Sequence, residues 1–402
     1  MDQAVHPTAH QTDIATWMIT LLAAACGIIV ANLYFAQPLI GPIAASTGIS
    51  PGAAGLIVTL AQVGYGVGLL FIVPVADLLE NRKLVIALMI ITCLALIGAA
   101  CAQTAGQFFA AAFVIGVSSV GAQILVPYAA HMSRPETRGR AVGNVMSGLL
   151  MGILLARPLA SLVADLFGWH TIFGLSAVAI ALLAVVLSRY LPQRRPPAGM
   201  HYGSLLASMW ELVKTTPVLR RRSGYHALVF AAFSLFWTTS PLLLAGPVFK
   251  LSQKGIALFA FAGVIGVIAA PLAGRVADRG WSRLATGWAM FSVALSFVLM
   301  YFCVRNGSGS LVLLLVAAIL LDFGVSANLV LSQRAIYALG AEIRSRLNGL
   351  FMATFFAGGA LGSALGGWIY AQGGWSATSL LGLLFPTVAL FYYATEFRAQ
   401  AS

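Results

Sequence analysis

The sequence predicts an all-α polytopic membrane protein whose twelve transmembrane helices form two pseudo-symmetric six-helix bundles. Three observations predict this class: an apolar composition, twelve apolar segments and an internal repeat. Hydrophobic residues make up 60% of the 402 positions and charged residues 8%, whereas soluble proteins carry about 25% charged residues. This composition excludes an ordinary water-soluble domain and makes the lipid bilayer the first expected partner.

Each predicted span is an apolar segment close to the roughly 20 residues that a helix needs to cross a bilayer. Numbered one to twelve in chain order, the segments cover residues 15–38, 51–75, 83–103, 106–131, 140–165, 171–191, 224–248, 255–276, 284–304, 309–337, 346–371 and 376–395. The predicted domains are a tail at 1–14, a first bundle at 15–191, a linker at 192–223, a second bundle at 224–395 and a tail at 396–402.

The linker contains a candidate amphipathic helix. Apolar residues recur at helical spacing between Leu205 and Val213, beside the charged Glu211 and Lys214. Such a helix lies on the membrane surface, or it is an ordinary solvated linker helix. The sequence leaves both alternatives open.

Basic residues are distributed unevenly between the two sides of the predicted topology. Eighteen Lys and Arg residues fall on the side of the linker and three, Lys250, Lys254 and Arg305, on the other. Because short cytoplasmic loops carry the excess of Lys and Arg, both termini and the linker are predicted to be cytoplasmic, with the protein in the inner membrane. The net charge of +12 is then a topology signal, so no nucleic-acid partner is expected.

Neither a cofactor nor an enzymatic site is indicated. The four cysteines lie inside apolar segments, without the close spacing to each other or to histidines that a metal site needs. Enzymatic work inside a membrane would need a recognisable nucleophile or a cluster of histidines and carboxylates, and the spans contain no such cluster. We therefore expect a monomer that is not an enzyme and binds no cofactor or metal.

The two halves of the chain repeat three short motifs in the same order. The offsets between the copies are 201, 206 and 206 residues. The matched segments are 73–83 with 274–283, 138–140 with 344–346, and 168–169 with 374–375. A nearly constant offset indicates an internal duplication, which in membrane proteins is typical of transporters with a solute site between the halves.

The repeated loop after spans two and eight resembles the signature loop of the major facilitator superfamily. The second copy keeps Gly274, Asp278, Arg279 and Arg283, and the first keeps Asp77, Arg82 and Lys83. The run Asn32-Leu-Tyr34-Phe-Ala-Gln37-Pro38 in span one and the small residues of span five are similar to the drug/proton antiporter and sugar-efflux branch. The resemblance covers residues 15–395 and implies solute transport by alternating access.

Two positions depart from the pattern of that branch. Span four has Ala112 where the branch usually carries an arginine four residues before a glycine, which here is Gly116. Span five has Arg157 before Pro158, where the branch usually has Gly-Pro. The departures fall on positions that the branch uses for proton coupling.

Small residues recur at every fourth position in spans five and eleven, including Gly148 and Gly152 in the first and Gly358 and Gly362 in the second. Small side chains at this spacing let helix backbones approach closely in lipid. We interpret these stripes as surfaces on which the two halves pack and slide. Plain helix packing without a role in the transport cycle is the alternative.

By the resemblance, charged residues at the cytoplasmic ends of the spans form a gate. Asp77 is expected to meet the start of span eleven, and Asp278 the start of span five, because a carboxylate gains from the positive end of a helix dipole. The predicted gate residues are Asp77, Arg82, Arg138, Arg140, Asp278, Arg279, Arg344 and Arg346.

Polar residues inside apolar spans mark the predicted cavity, because polar groups in lipid need partners or water. The resemblance implies that spans one, four, seven and ten line it. Each polar residue is either a contact to the small-molecule substrate or a hydrogen bond between helices. The predicted cavity residues are Asn32, Tyr34, Gln37, Gln62, Tyr65, Gln123, Arg157, Trp237, Thr238, Ser326 and Gln333.

Two charged residues are isolated in apolar sequence, Arg157 in span five and Asp322 in span ten. An unpaired charge inside a membrane is costly, so a function or a partner is required. Arg157 is expected to bind Asp322 or an anionic group of the substrate; a structural ion pair is the alternative. Asp322, with Ser326 and Gln333 on the same helix face, is the predicted proton-coupling residue.

The leading hypothesis is a secondary active transporter that moves a small organic solute by alternating access, as proton-coupled efflux. The alternative is an importer or facilitator of an anionic solute bound by Arg157. A non-transporting receptor or a membrane enzyme is the rival class, and flux through proteoliposomes would separate it from a transporter.

Overall fold

The computed structural model describes residues 15–134, 136–194, 201–261, 272–273, 275, 279, 281–305, 308–340 and 342–398. These residues form a helical fold, and the predicted fold class is confirmed. Within this part of the chain, the one pair of strands is a two-residue ladder that joins Val304–Arg305 to Ser308–Gly309. It connects spans nine and ten.

Nine helices in the described ranges are long and apolar enough to cross a membrane. They are Pro51–Asp77, Asn81–Ala100, Ala105–Met132, Arg138–Phe167, Trp169–Tyr190, Pro217–Ala245, Ser282–Cys303, Leu311–Tyr337 and Arg344–Glu396. The last is divided at Gly374, whose φ of 61° interrupts the helix, so it contains spans eleven and twelve. Shorter helices at Thr16–Ala31 and Gln253–Ala260 belong to spans one and eight.

Span one is broken rather than continuous. Its first helix, Thr16–Ala31, is followed by a tight turn at Gln37–Leu39 and a second helix at Ile40–Thr47. Pro38 lies in that turn, and because proline has no backbone N–H it cannot continue a helical hydrogen-bond pattern. The break places the side chains of residues 32–37 in the interior of the bundle.

The small-residue stripes pack within each half, which corrects the prediction that they join the halves. A side chain added at Gly148 or Gly152 would collide with the backbone of span one at Ala23 or Gly27. One added at Gly358 or Gly362 would likewise collide with the backbone of span seven. Periodicity identified the close-packed face of spans five and eleven, but not the helix that it faces.

The halves meet instead along spans two and eleven. Gly55 and Gly367 are in backbone contact, and the hydroxyl groups of Thr59 and Ser363 lie 2.8 Å apart. The backbones of the two halves therefore touch directly along this seam.

The linker forms a helix at Tyr202–Thr215. Its residues Leu205 and Met209 are buried, and Met209 packs against apolar side chains of spans seven, ten and eleven. Trp210 is 61% exposed. Span seven begins at Pro217, earlier than the predicted start at 224, because Pro217 occupies the first helical turn, where a missing N–H costs nothing. The end of the bundle that carries this helix is called the linker side below.

Candidate functional site

Arg157 of span five is held inside the protein by a hydrogen bond. Its side chain is 4% exposed, and its Nε donates to Oε1 of Gln37 over 2.7 Å. Gln37 reaches this position because the turn at Gln37–Leu39 interrupts span one. The first partner of the buried cation is thus a neutral amide of its own half.

Three aromatic rings surround the guanidinium of Arg157. Its central carbon lies 4.5 Å from the ring centroid of Trp237 and 5.2 Å from those of Phe233 and Tyr34. We call Tyr34, Phe233 and Trp237 the aromatic cage. All three distances fall within the ~6 Å at which a ring face attracts a cation.

Asp322 of span ten lies behind the cage. It is 6% exposed, and its Oδ1 accepts a hydrogen bond from Nε1 of Trp237 over 3.0 Å. Asp322 and Arg157 interact electrostatically but form no direct ion pair; among the described residues, the ion pair that the structure shows joins Arg283 to Glu396. Trp237 contacts both charged groups and connects them.

Several polar atoms at this level have no hydrogen-bond partner among the described residues. They are Nη2 of Arg157, Nε2 of Gln37 and the hydroxyl groups of Thr238 and Ser240. A small cavity opens beside them, with room for roughly one water molecule, and its lining includes Pro38, Arg157, Trp237, Ser240 and Pro241. Of these residues, Arg157 and Ser240 line the cavity, which is too small for an organic solute.

Two of the predicted cavity residues, Gln62 and Tyr65, contact the second half, and a third, Gln123, bonds Tyr65 within the first half. Nε2 of Gln62 donates to Oγ of Ser234 over 2.9 Å. Nε2 of Gln123 donates to the hydroxyl of Tyr65 over 3.1 Å, and the Tyr65 ring lies 4.5 Å from that of Phe356 in span eleven. These contacts join side chains far apart in the sequence.

The remaining three predicted cavity residues, Asn32, Ser326 and Gln333, lie away from Arg157. Asn32 bonds within the first half, where its Oδ1 accepts from Oγ of Ser176 over 2.6 Å. Ser326 is half-buried. Gln333 approaches Asn348, with 3.4 Å between Nε2 and Oδ1.

A buried polar pair was missed by the sequence reasoning. His226 of span seven and Asn328 of span ten are both fully buried, and Nδ1 of His226 lies 2.9 Å from Oδ1 of Asn328. In the sequence, His226 lies near the end of an apolar segment, where a solvated histidine is the usual expectation. An asparagine within an apolar span was the signal that could have indicated the pair.

The first copy of the signature loop is tied to the first half and to the linker. Asp77 interacts electrostatically with Arg194 and with Arg346, at the start of span eleven. Arg82 donates to the backbone carbonyl of Ser188. Asp77 therefore faces one cation of the linker and one of the second half, without a direct ion pair to either.

The remaining predicted gate residues do not form one cluster. Nε of Arg138 donates to the carbonyl of Ala130 over 3.0 Å, Arg344 donates to the carbonyl of Tyr337 over 3.2 Å, and Arg346 donates to Oγ of Ser208 over 2.9 Å. Arg140 and Arg279 are exposed. Asp278 lies outside the described residues.

Comparison with known proteins identifies the family. The family model described as Major Facilitator Superfamily matches residues 19–302 and 266–401. The uncharacterized transporter YgaY of Escherichia coli O157:H7 is 37% identical over 98% of this chain and 99% of its own. The probable transporter SCO4007 of Streptomyces coelicolor is 32% identical over 90% of this chain and 83% of its own.

Solved structures show the same fold. An inward-facing, occupied bacterial homolog of the human lysosomal transporter Spinster superimposes with a TM-score of 0.75 at 14% identity, over 95% of this chain and 97% of the other. The peptide-transporter-family (POT) protein PepTSo gives 0.74 at 14% identity, over 96% and 99%. With the family model and the relatives in agreement, the chain belongs to the major facilitator superfamily and is a multi-pass membrane transporter.

Proposed function

We propose that the protein is a proton-coupled exporter of a small organic solute, of the drug/proton antiporter and sugar-efflux branch. The observation that carries this proposal is the placement of Arg157 and Asp322. Both are buried, they belong to different halves, and Trp237 contacts both of them. A movement of one half against the other changes the distance between the two charges.

Asp322 is the group that would carry the proton. In the structure, burial disfavours its charged carboxylate, while the field of Arg157 and the N–H of Trp237 act in the opposite direction and stabilise the charge. When the halves separate, Arg157 moves with span five and Asp322 with span ten. An ionised carboxylate without a counter-charge is unfavourable in an apolar surrounding, so Asp322 takes up a proton from one side when the pair is separated and releases it toward the other side when Arg157 returns.

The alternative is import or facilitated passage of an anionic solute. The observation that favours it is Nη2 of Arg157, which has no hydrogen-bond partner within the described part of the chain. A guanidinium with free N–H groups binds carboxylates and phosphates through paired hydrogen bonds. In this alternative Arg157 holds the solute directly and Asp322 needs no proton.

The sidedness of the cycle follows from the charge asymmetry. Both termini and the linker lie in the cytoplasm, in an inner membrane, so the linker side opens toward the cytoplasm. Asp77, Asp278 and the arginines at the starts of spans five and eleven close that side. The working unit is a monomer.

The proposal is tested with purified protein in proteoliposomes that contain a pH-sensitive dye. A panel of drugs, sugars, amino acids and organic anions is first screened for thermal stabilisation, because ligands of the folded state raise its apparent stability. Each stabilising solute is then added outside. Proton movement that requires both solute and protein supports coupled transport. Solute flux without any proton movement contradicts it and favours a facilitator.

A further inference from the structure

The aromatic cage has the chemistry of a cation site, and a side chain of the protein fills it. Three ring faces point at one guanidinium, and the carboxylate of Asp322 accepts the N–H at the edge of the Trp237 ring. Aromatic cages of this kind recognise ammonium and guanidinium groups of ligands, because the ring faces carry partial negative charge. The site can therefore bind a cationic group of the protein itself or of a solute.

The cage is divided between the two halves of the protein. Tyr34, Gln37 and Arg157 belong to spans one and five, whereas Phe233, Trp237 and Asp322 belong to spans seven and ten. When the halves separate, Gln37 and Tyr34 move with Arg157. The guanidinium then leaves Phe233, Trp237 and Asp322 behind without a cation.

The net charge of the site favours a cationic solute over an anionic one. Arg157 and Asp322 together carry no net charge. A cation that takes the place of Arg157 keeps the second-half site neutral. An anion added to Arg157 leaves one uncompensated negative charge beside Asp322 and three ring faces, which is unfavourable in a medium of low dielectric constant.

We propose that Phe233, Trp237 and Asp322 bind the cationic group of an organic solute, and that Arg157 is a tethered occupant that the solute replaces in each cycle. The proposal rests on the proposed proton-coupled export and names its substrate class, which is a small organic cation with an amidinium, guanidinium or ammonium group beside an apolar body. Binding of the cation and protonation of Asp322 exclude each other, because each neutralises the same carboxylate.

The exchange is balanced in charge. The half-site of the second half holds a proton on Asp322, the solute cation or Arg157, one at a time. A proton that enters from one side crosses on Asp322, a solute cation that leaves to that same side crosses in the half-site, and Arg157 occupies the cage between these two steps. No further ion or cofactor is needed for the cycle.

The test uses two probes of similar size and opposite charge, benzamidinium and benzoate. Their dissociation constants are measured by titration calorimetry for the wild-type protein and for Arg157→Ala, which empties the cage. We expect benzamidinium to bind Arg157→Ala at least about tenfold more tightly than wild type, since the competing cation is gone and the aromatic faces are free to contact the probe. Benzoate should bind neither protein more tightly.

A matched control removes an arginine that also lies over a ring, but outside the site. Arg221 is 5.3 Å from the ring centroid of Tyr392, and Arg221→Leu should bind benzamidinium as the wild type does. In the Arg157→Ala background, a further Trp237→Leu or Asp322→Asn change should remove the gained affinity. Size-exclusion profiles and melting temperatures verify folding, and Arg157→Gln replaces Arg157→Ala if the latter does not fold.

The opposite results overturn the proposal. Benzoate binding to wild type that disappears in Arg157→Ala would make this an anion site. Equal benzamidinium affinity in wild type and Arg157→Ala, or no binding to either, would show that the cage is only structural. Proton movement driven by an uncharged or anionic solute would leave the proposed coupling intact and remove the cation site. Tight benzamidinium binding without any proton movement would support the cation site and contradict the proposed proton coupling.

Discussion

Arg157 of span five and Ser363 of span eleven are 206 residues apart, which is the offset that relates the flanking motifs of the two halves. Both side chains reach across to the opposite half. Arg157 enters the cage at Phe233 and Trp237, whereas Ser363 forms one hydroxyl contact with Thr59. The duplicated backbone position thus carries a buried charge in one half and makes a close helix contact in the other.

The comparison shows which features both copies of the duplication keep and which have diverged. Both halves keep the small residues that let spans five and eleven contact spans one and seven, because that backbone contact is the same in each bundle. The side chains at the interface between the halves have diverged, since only one of the matched positions needs to carry a charge. Five predictions test this comparison.

The largest effect is expected for Asp322→Asn. The amide keeps the shape of the side chain but cannot exchange a proton, so proton-driven accumulation of solute should be abolished while solute binding stays measurable. Uptake into proteoliposomes with and without an imposed pH gradient provides the measurement. Uphill transport at the normal rate by the asparagine variant would remove Asp322 from the coupling mechanism.

Substitution of Arg157 should be nearly as severe and should depend on charge. Arg157→Leu is expected to transport little, because closure would bury Asp322 without a counter-charge. Arg157→Lys keeps the charge but not the flat guanidinium that lies against the rings, and it should retain part of the activity. Full transport by the leucine variant would reduce Arg157 to a structural residue.

The shared packing of the halves predicts equal costs for two glycine substitutions. Gly152→Ala would collide with the backbone at Gly27, and Gly362→Ala with that at Ala231. Each should lower the free energy of unfolding by about 1–3 kcal/mol, the usual cost of overpacking. Thermal unfolding in detergent measures it. Gly174→Ala, with open space around a helical glycine, is the control that should not destabilise the protein.

The two signature loops should differ moderately in importance. The second copy is the more complete, so Asp278→Asn is expected to impair transport more than Asp77→Asn, which lies in the degenerate copy beside Arg194 and Arg346. Initial rates of solute flux compare the two variants at equal protein density. Wild-type rates in both would remove these carboxylates from the gate.

The smallest effect is expected for Ser363→Ala. The hydroxyl of Thr59 keeps its hydrogen bond to the carbonyl of Gly55 at 2.9 Å, so no buried donor is left without a partner. The loss should be close to the ~0.6 kcal/mol average of a hydrogen bond between membrane helices, with transport nearly unchanged. A Ser363→Ala defect as large as that of Arg157→Leu would contradict the division of roles between the matched positions.

The sequence by itself determined the membrane class, the helical fold, the duplication and the superfamily. It also identified Arg157 and Asp322 as charges inside apolar segments. These conclusions depend on local properties, since apolar length, charge and motif spacing are read within a few tens of residues. Because a charge in lipid is costly, a charged residue inside an apolar segment can be recognised as unusual without any knowledge of its neighbours.

Only the tertiary structure decided which groups meet. Gln37 and Arg157 are 120 residues apart in the chain, and Trp237 and Asp322 are 85 apart, so no local pattern could pair them. Helical periodicity gives the direction of a side chain relative to its own helix but not the identity of the helix that it faces. For that reason the sequence assigned the stripes of small residues to the interface between the halves, and it offered Asp322 or an anionic group of the substrate as the partner of Arg157. The packing of the helices placed the stripes within each half and filled the space around Arg157 with an amide and three aromatic rings.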